Sequence, residues 1–472
     1  MKRYLLITIL TCLTIGSQTA NSVEIVYPQE ENVTINADST FFTGHEKPEK
    51  KLTINSNEVK LSRQGGFFYP VNLELGQNKF IIDNGTEQKT YIINREEIKP
   101  YVAPDKITYF ETPQTVATIK DNVPLRSFPY DGGITRLQHF DKGMPLNIIG
   151  EYQNFYLVQL ARDDYAWIDK YFVASINGYN NSPVKVEGFV YEETPQGRIF
   201  TIKVNKKVPY ILSESIIYKT DKRMSHFIRT NDGLDLTVYN VKNYPENKYE
   251  IHINKTGFST GYKSYYKNNH ELVIEIKDTK IAQTKNLPLK GLNITLDAGH
   301  GGNELGAVGC LGNYEKDINL QIALKLKKYL ENAGANVFMT RTEDKDVSLN
   351  DRVEFSKKHN SDIFLSIHND SLGNGSKITN PTGSTGYVYY PQASELAQDI
   401  LSELNKKTGL KNNGVNEASF AVVRNTESLS VLLEVGYMIS PKDIENLTNE
   451  EFQETTAKAI FNGMEKYIND NK

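Results

Sequence analysis

The sequence predicts a multidomain chain: three small all-β modules, then a C-terminal α/β domain with a mostly parallel sheet flanked by helices. Three observations lead there. The 472 residues exceed what one core organises, and a prior of about 150 residues per domain gives three or four units. Up to about residue 282, short runs rich in β-branched and aromatic residues alternate in period two between turn signals. Beyond "AQTKNLPLKG" the texture changes, and apolar strands alternate with helix-length runs, the rhythm of strands buried on both faces.

The first segment is "MKRYLLITILTCLTIGSQTANS", with a basic start, an apolar run and then small polar residues. It reads as a signal peptide over 1–20, too short for a comfortable membrane span; Ala20 suits a cleavage site, Gln18 is larger than the usual residue two positions before it, and an uncleaved anchor is the alternative. Cys12 lies in the apolar run without a lipobox. Export leaves Cys310 as the one cysteine, which cannot form an internal disulfide. No other apolar stretch approaches spanning length, so the mature chain is expected to be soluble.

Residues 22–97 read as strands: "VEIVYP", "KLTINSNEVKLS", "GFFYPVNLEL", "NKFIIDN" and "KTYIINRE", with turns at "NSNE", "QGG" and "DNGT". That pattern predicts a β-sandwich, and it resembles the Ig-like modules of exported bacterial proteins. "KPYVAPDK" follows as a linker. Residues 113–175 run "VPLRS", "KGMPLNIIGEYQNFYLVQL", "YAWIDKYFV", an order similar to bacterial SH3-like domains, with Arg126, Gly143 and Trp167 at family-like places. Trp167 reads as a core aromatic rather than a binding residue. Residues 183–282 are again strand-like, as in "VKVEGFVYEE", "GLDLTVYNV" and "ELVIEIK". The tyrosine-rich composition of all three segments follows from β-propensity.

From 291 to 472 the predicted order is "LNITLDAG", "NLQIALKLKKYLENAG", "ANVFMTR", "LNDRVEFSKKHN", "DIFLSIHND", "GYVYYP", "SELAQDILSELNKKTG", "SVLLEVGYM" and a final long helix. "INLQIALKLKKYL" alternates like a strand. Its Leu, Ala and Lys content, its length and Gly334 as a C-cap favour a helix.

Bulk properties exclude some functions. Hydrophobic content of 39% and charge of 24% describe ordinary globular material. The net charge of −4 argues against nucleic-acid binding, and from Gly291 onward 18 Lys and Arg stand against 25 Asp and Glu. Any anionic polymer bound there is not held by bulk attraction.

In open α/β sheets, ligands gather outside the carboxyl ends of the strands. His300 follows "NITL", His368 ends "IFLSI", Glu434 ends "VLL", and Glu315 opens the first helix. Two imidazoles and a carboxylate match a catalytic zinc site with one open position, and a further carboxylate would handle the proton. The glycines around His300 would let backbone approach metal and substrate. Each residue also has a plainer role: a solvated histidine after a strand, or a helix-start carboxylate favoured by the dipole. Glu434 resists that account, because an unpaired buried carboxylate is costly.

Five ordered motifs decide between these readings. "LDAGHGG", "GNYEKD", "TRTEDKDVSLNDR", "LSIHND" and "LLEVGYM" make residues 291–472 resemble the zinc-dependent N-acetylmuramoyl-L-alanine amidases of the amidase_3 type. The resemblance implies Zn2+ as cofactor, His300, Glu315 and His368 as its ligands, and Glu434 as catalytic acid/base. Arg341, Arg352, Asn369 and Asp370 lie beside the motifs, where they would orient ligands, grip substrate or simply form salt bridges. Three positions depart from the family: Ala298 in place of Pro, Asn413 in place of Arg, and Ser430 in place of Pro. "NDSLGNGSKITNPTGSTG" is short and lacks the helical pattern of an inhibitory insertion.

The function implied is a peptidoglycan hydrolase cutting the amide between the muramyl lactyl group and L-alanine. The alternatives are a zinc peptidoglycan peptidase, or a catalytically silent wall-binding or activator protein. Peptidoglycan is then the partner, wall-peptide binding would fall to the SH3-like module, and no partner protein is identifiable. Residues 183–282 sit where wall amidases of this type carry a β-rich localisation domain. The location implied is exported, in the periplasm or at the cell wall.

Overall fold

The computed structural model describes residues 22–97, 106–131, 135–161, 164–178, 186–216, 224–230, 235–244, 248–252, 258–281, 284 and 286–471. The signal peptide read at 1–20 and most of the "KPYVAPDK" linker lie outside these residues. Two compact units are formed: Met1–Glu97 with Gly373–Thr379, and Ile98–Leu372 with Asn380–Lys472.

In the first unit, Glu24–Tyr27, Ser39–His45 and Gly66–Asn72 make a three-stranded sheet. A five-stranded sheet holds the rest, with Gly76–Asp83 and Gln88–Arg95 at its centre. Alternate residues turn inward, so Phe42, Phe67, Leu52, Ile82 and Ile93 fill one apolar core. The "NSNE" turn joins Leu52–Ile54 to Asn57–Val59 through Asn55 and Ser56 at φ +48° and +65°. Two successive positive φ values are the signature of a type I′ hairpin, which Asn tolerates.

The second unit opens with a seven-stranded antiparallel sheet whose strands fall between Thr108 and Ser175. A four-stranded antiparallel sheet follows, ordered Val186–Thr194, Gly197–Val204, Glu271–Thr279, Phe258–Asn268. The two sheets share one core, in which Leu125, Leu146, Ile148 and Ile168 meet Phe200, Ile202 and Ile274. A third sheet, spanning Tyr210–His252, has four strands paired in sequence order. Trp167 is buried beside Phe155 and Leu157. Arg126 is buried and paired with Asp131.

The C-terminal region contains strands β1 (Asn293–Ala298), β2 (Asn336–Met339), β3 (Ile363–Asp370), β4 (Ser384–Val388), β5 (Asn412–Glu417) and β6 (Leu429–Tyr437). Its helices are α1 (Glu315–Asn332), α2 (Leu349–Lys358), α3 (Ser394–Thr408), α4 (Pro441–Leu447) and α5 (Glu450–Asp470). The sheet runs β2-β1-β3-β6-β4-β5, with β4 antiparallel to β6 and every other pairing parallel. β1, β3 and β6 are central and almost wholly buried, which explains their unbroken apolar runs.

"INLQIALKLKKYL" is helical. Its Ile318, Ile322, Ala323, Leu326 and Leu330 recur at helical spacing and are buried, and Gly334 at φ +92° follows the C-cap. β5, sequence "NNGVNE", has no counterpart among the strands expected from the sequence. It is a polar edge strand, and pairing with β4 supplies what its composition does not. The segment between β3 and β4 carries no helix. Among the described residues, no helix is long and apolar enough to cross a membrane.

Candidate metal centre

β1 buries Ile294, Leu296 and Ala298, and the chain leaves the sheet at Gly299. His300 then takes up a left-handed φ of +59°, followed by Gly301 and Gly302, also at positive φ. The turn carries the imidazole to the carboxyl edge of the sheet. Glu315, the first residue of α1, is buried at the same edge. Its Oε2 lies 3.2 Å from His300 Nε2, and its Oε1 lies 2.9 Å from His368 Nδ1. The two imidazole rings are T-shaped, with centroids 4.9 Å apart. One ligand atom from each of His300, Glu315 and His368 lies within 4.8 Å of the others.

Two glycines make this convergence sterically feasible. A Cβ on Gly299 would lie 2.2 Å from Cε1 of His368, and one on Gly306 would lie 2.4 Å from Glu315 Oε2. Any larger residue at either position occupies space that the donor atoms need.

Backbone and amide donors fix the Glu315 carboxylate. Ala307 N–H donates to Oε2 at 2.8 Å, while Asn369 N–H and Asn319 Nδ2 donate to Oε1 at 3.1 and 3.0 Å. Burial alone would raise its pKa, but hydrogen bonds and charge from His300 and His368 hold the carboxyl well below the usual carboxylate range. It is therefore an anion between two imidazoles.

Glu434 behaves oppositely. On β6 it is the register partner of His368 on β3 and of Thr385 on β4. Its Oε2 is buried without a hydrogen-bond partner. Burial pushes the carboxyl well above its usual range, and the charges of Asp370 and Glu315 add to the shift. Asp370 is itself raised by burial, while accepting a hydrogen bond from Ser371 N–H at 2.7 Å.

The arginines named from the sequence grip backbone. Arg341, fully buried, donates to the carbonyls of Ala298 (2.9 Å), Gly299 (2.9 Å) and Lys316 (2.7 Å). Arg352 forms a buried pair with Asp297 at 2.6 Å and donates to the carbonyls of Ala298 and His300, both at 2.9 Å. Both clamp the turn that presents His300. Asn369 Nδ2 donates to Asn319 Oδ1 at 2.8 Å. Asn413 Nδ2 donates to the carbonyl of Thr382 at 3.0 Å, and Ser430 is a buried member of a Ser428–Asn425 network. Cys310 is buried, and that burial pushes its thiol up to about 12.

Two residues beside the centre had no assigned role in the sequence reading. Asp297 joins Arg352, Thr340 Oγ1 (2.6 Å) and Ser366 Oγ (2.7 Å) beneath the turn. Asn319 lies one helical turn after Glu315, the (i, i+4) spacing that aligns side chains on one face.

The donor set suits a transition metal. Two imidazoles and one carboxylate are a catalytic zinc ligand set, and their three donor atoms lie close enough together to hold one ion. The buried, unpartnered Glu434 oxygen is the kind of atom a reacting group would engage.

Residues 294–466 match the Amidase_3 family, N-acetylmuramoyl-L-alanine amidase. A probable cell wall amidase of Staphylococcus epidermidis, LytH, is 38% identical over 183 residues, covering 38% of this chain and 60% of that protein. The uncharacterized protein YqiI of Bacillus subtilis is 35% identical over 184 residues, 38% of this chain and 86% of that protein. The solved N-acetylmuramoyl-L-alanine amidase AmiC2 of Nostoc punctiforme is 34% identical, covers 38% of this chain and 97% of that one, and has a TM-score of 0.36. Through its C-terminal region, this chain belongs to the N-acetylmuramoyl-L-alanine amidase family.

Proposed function

We propose that this chain is an exported, zinc-dependent peptidoglycan hydrolase, cleaving the amide between the lactyl group of N-acetylmuramic acid and the L-alanine of the stem peptide. His300, Glu315 and His368 would hold the zinc. When bound, zinc supplies a Lewis acid that polarises the scissile carbonyl and lowers the pKa of water at the site. Glu434, in its ionised form, would accept the proton of the attacking water and return it to the departing nitrogen, a return that its raised pKa favours.

One observation carries the reading. A carboxyl with a raised pKa stands in register with a histidine of the donor cluster, and its buried Oε2 meets no protein donor. A structural carboxylate would be paired, whereas one that exchanges a proton needs an open side. Arg341 and Arg352 keep the His300 turn in place, and Asn319 and Asn369 keep the Glu315 carboxylate aimed.

The Ig-like reading of 22–97, the SH3-like reading of 113–175 and the localisation reading of 183–282 fit modules that target or space the hydrolase on the wall. The cell wall amidase name of the staphylococcal relative supports that location.

The test is digestion of purified peptidoglycan by the mature protein, by its Glu434→Gln variant, and by metal-stripped protein with and without added zinc. New N-terminal alanine and peptide-free glycan, from wild type with zinc only, establish both bond and mechanism. Release of other amino termini would mean a peptidase. Binding without release would mean a wall-binding protein.

A further inference from the structure

Within the second unit, a cavity of about 800 Å3 lies between the 108–175 sheet, the strand Phe258–Asn268, α2 and the segment 421–427. That size takes a small molecule or an oligomer end rather than a bare ion. None of His300, Glu315, His368 and Glu434 lines it.

Two arginines line this cavity, Arg136 and Arg424. Ser419 ties them together. Its hydroxyl donates to the carbonyl of Arg136 at 3.1 Å, and Arg424 Nη1 donates to the Ser419 carbonyl and to its Oγ. The Tyr389 hydroxyl reaches the same Arg136 carbonyl at 3.2 Å. The Arg136 backbone and the Arg424 side chain are thus both held at Ser419.

Among the described residues, neither arginine forms an ion pair, and Arg136 Nε is buried without a hydrogen-bond partner. Four carboxylates also line the cavity: Glu354 and Glu427 both pair with Lys357 at 3.4 Å, Asp121 accepts from Lys142 N–H at 2.8 Å, and among the described residues neither Asp121 nor Asp141 pairs with an arginine of the cavity. Burial, then the charge of Arg136, lowers the pKa of Arg424. His139 lines the same wall and is pushed down to about 4, by burial first and then by Arg424, Arg136, Arg126 and Lys357. Two neighbouring, half-buried arginines without an ion-pair partner are costly unless an anion compensates them. The rings of Tyr262 and Tyr390, 6.4 Å apart and edge to face, add apolar surface on the same cavity.

We propose that this cavity is an oxyanion-binding site, in which Arg136 and Arg424 together grip a carboxylate or phosphate group of a ligand whose body rests against Tyr262 and Tyr390. Planar guanidiniums present paired donors that match either group. The site is separate from the metal centre and does not depend on the hydrolase reading.

The test uses the full mature chain, with inorganic phosphate and citrate as probes. Binding is followed by calorimetry and by the His139 ring signals in NMR spectra, assigned with His139→Gln. Saturable binding that shifts the His139 signals is expected. Arg136→Gln and Arg424→Gln should each weaken it about tenfold or more, as expected for losing a charge-assisted hydrogen bond. Arg136→Lys should keep part of it, and Lys120→Gln, an exposed charge outside the cavity, should leave it unchanged. Circular dichroism checks that each variant is folded. Phosphate binding alone points to a phosphate-bearing ligand, citrate binding alone to a carboxylate-bearing one, and both to either source. Absence of saturable binding by either probe overturns the proposal, as does binding that folded Arg136→Gln and Arg424→Gln retain.

Discussion

His368 and Glu434 are register partners on adjacent parallel strands, so an imidazole of the donor cluster and a buried carboxyl without a partner on Oε2 stand at the same height of the sheet. Glu434 lies within β6, its chain neighbours Leu432, Leu433 and Val435 buried and apolar.

Glu434→Gln keeps the shape and removes the exchangeable proton. Turnover on peptidoglycan should fall about 10²–10⁴-fold, the usual contribution of a general acid/base. Bound zinc, measured by elemental analysis, should not change, because the proposed donors are His300, Glu315 and His368. A variant that retains wild-type turnover would remove Glu434 from the mechanism.

Gly299→Ala introduces a Cβ into the His368 ring. The ring must move, so zinc retained after dialysis should fall together with activity, while thermal stability drops by about 1–3 kcal/mol, as for overpacking generally. Equal zinc content in variant and wild type would show that the ring has room to adjust.

Arg352→Ala leaves Asp297 buried without its cation. Breaking a buried pair in this way costs about 3–5 kcal/mol, and the clamp on the His300 carbonyl is lost with it. Chemical denaturation should show the loss. Arg352→Lys should recover part of the stability but not the full set of backbone bonds, because lysine lacks the guanidinium fork.

His139 makes stability depend on pH. Its pKa is about 4 in the folded chain against 6.5 ordinarily, so from pH 6.5 down to about 4 the unfolded chain binds a proton that the folded one refuses. Stability must therefore fall with falling pH across that window, by at most about 3 kcal/mol from this group. Denaturation midpoints measured between pH 7 and 4 should show a shallower decline in His139→Gln. Identical slopes would mean that His139 is protonated normally.

Much of this molecule is legible in residue order. Apolar runs ending in His300, His368 and Glu434 mark the carboxyl-side parts of three strands, where residues far apart in sequence can meet. The "EKD" after the glycine-rich turn puts a carboxylate in the first turn of α1, as the helix dipole favours. Local signals of this kind survive folding because they depend on neighbours in the chain.

Other features required the tertiary structure. The polar strand "NNGVNE" carries no strand signal, because its β form depends on the partner strand β4. The two arginines beside the motifs are as consistent with substrate contact as with salt bridging until their carbonyl partners come from β1, Lys316 and the His300 turn. Residues 108–175 and 186–279 read as separate segments, yet they close on one core, since apolar faces do not record in sequence which face they will meet. The sequence by itself determined the α/β order, the donor residues and the glycines that make room for them, all properties of local spacing. Only the tertiary structure decided which carboxyl is ionised and which keeps its proton, because Glu315 and Glu434 are the same side chain until burial and neighbouring charges separate them.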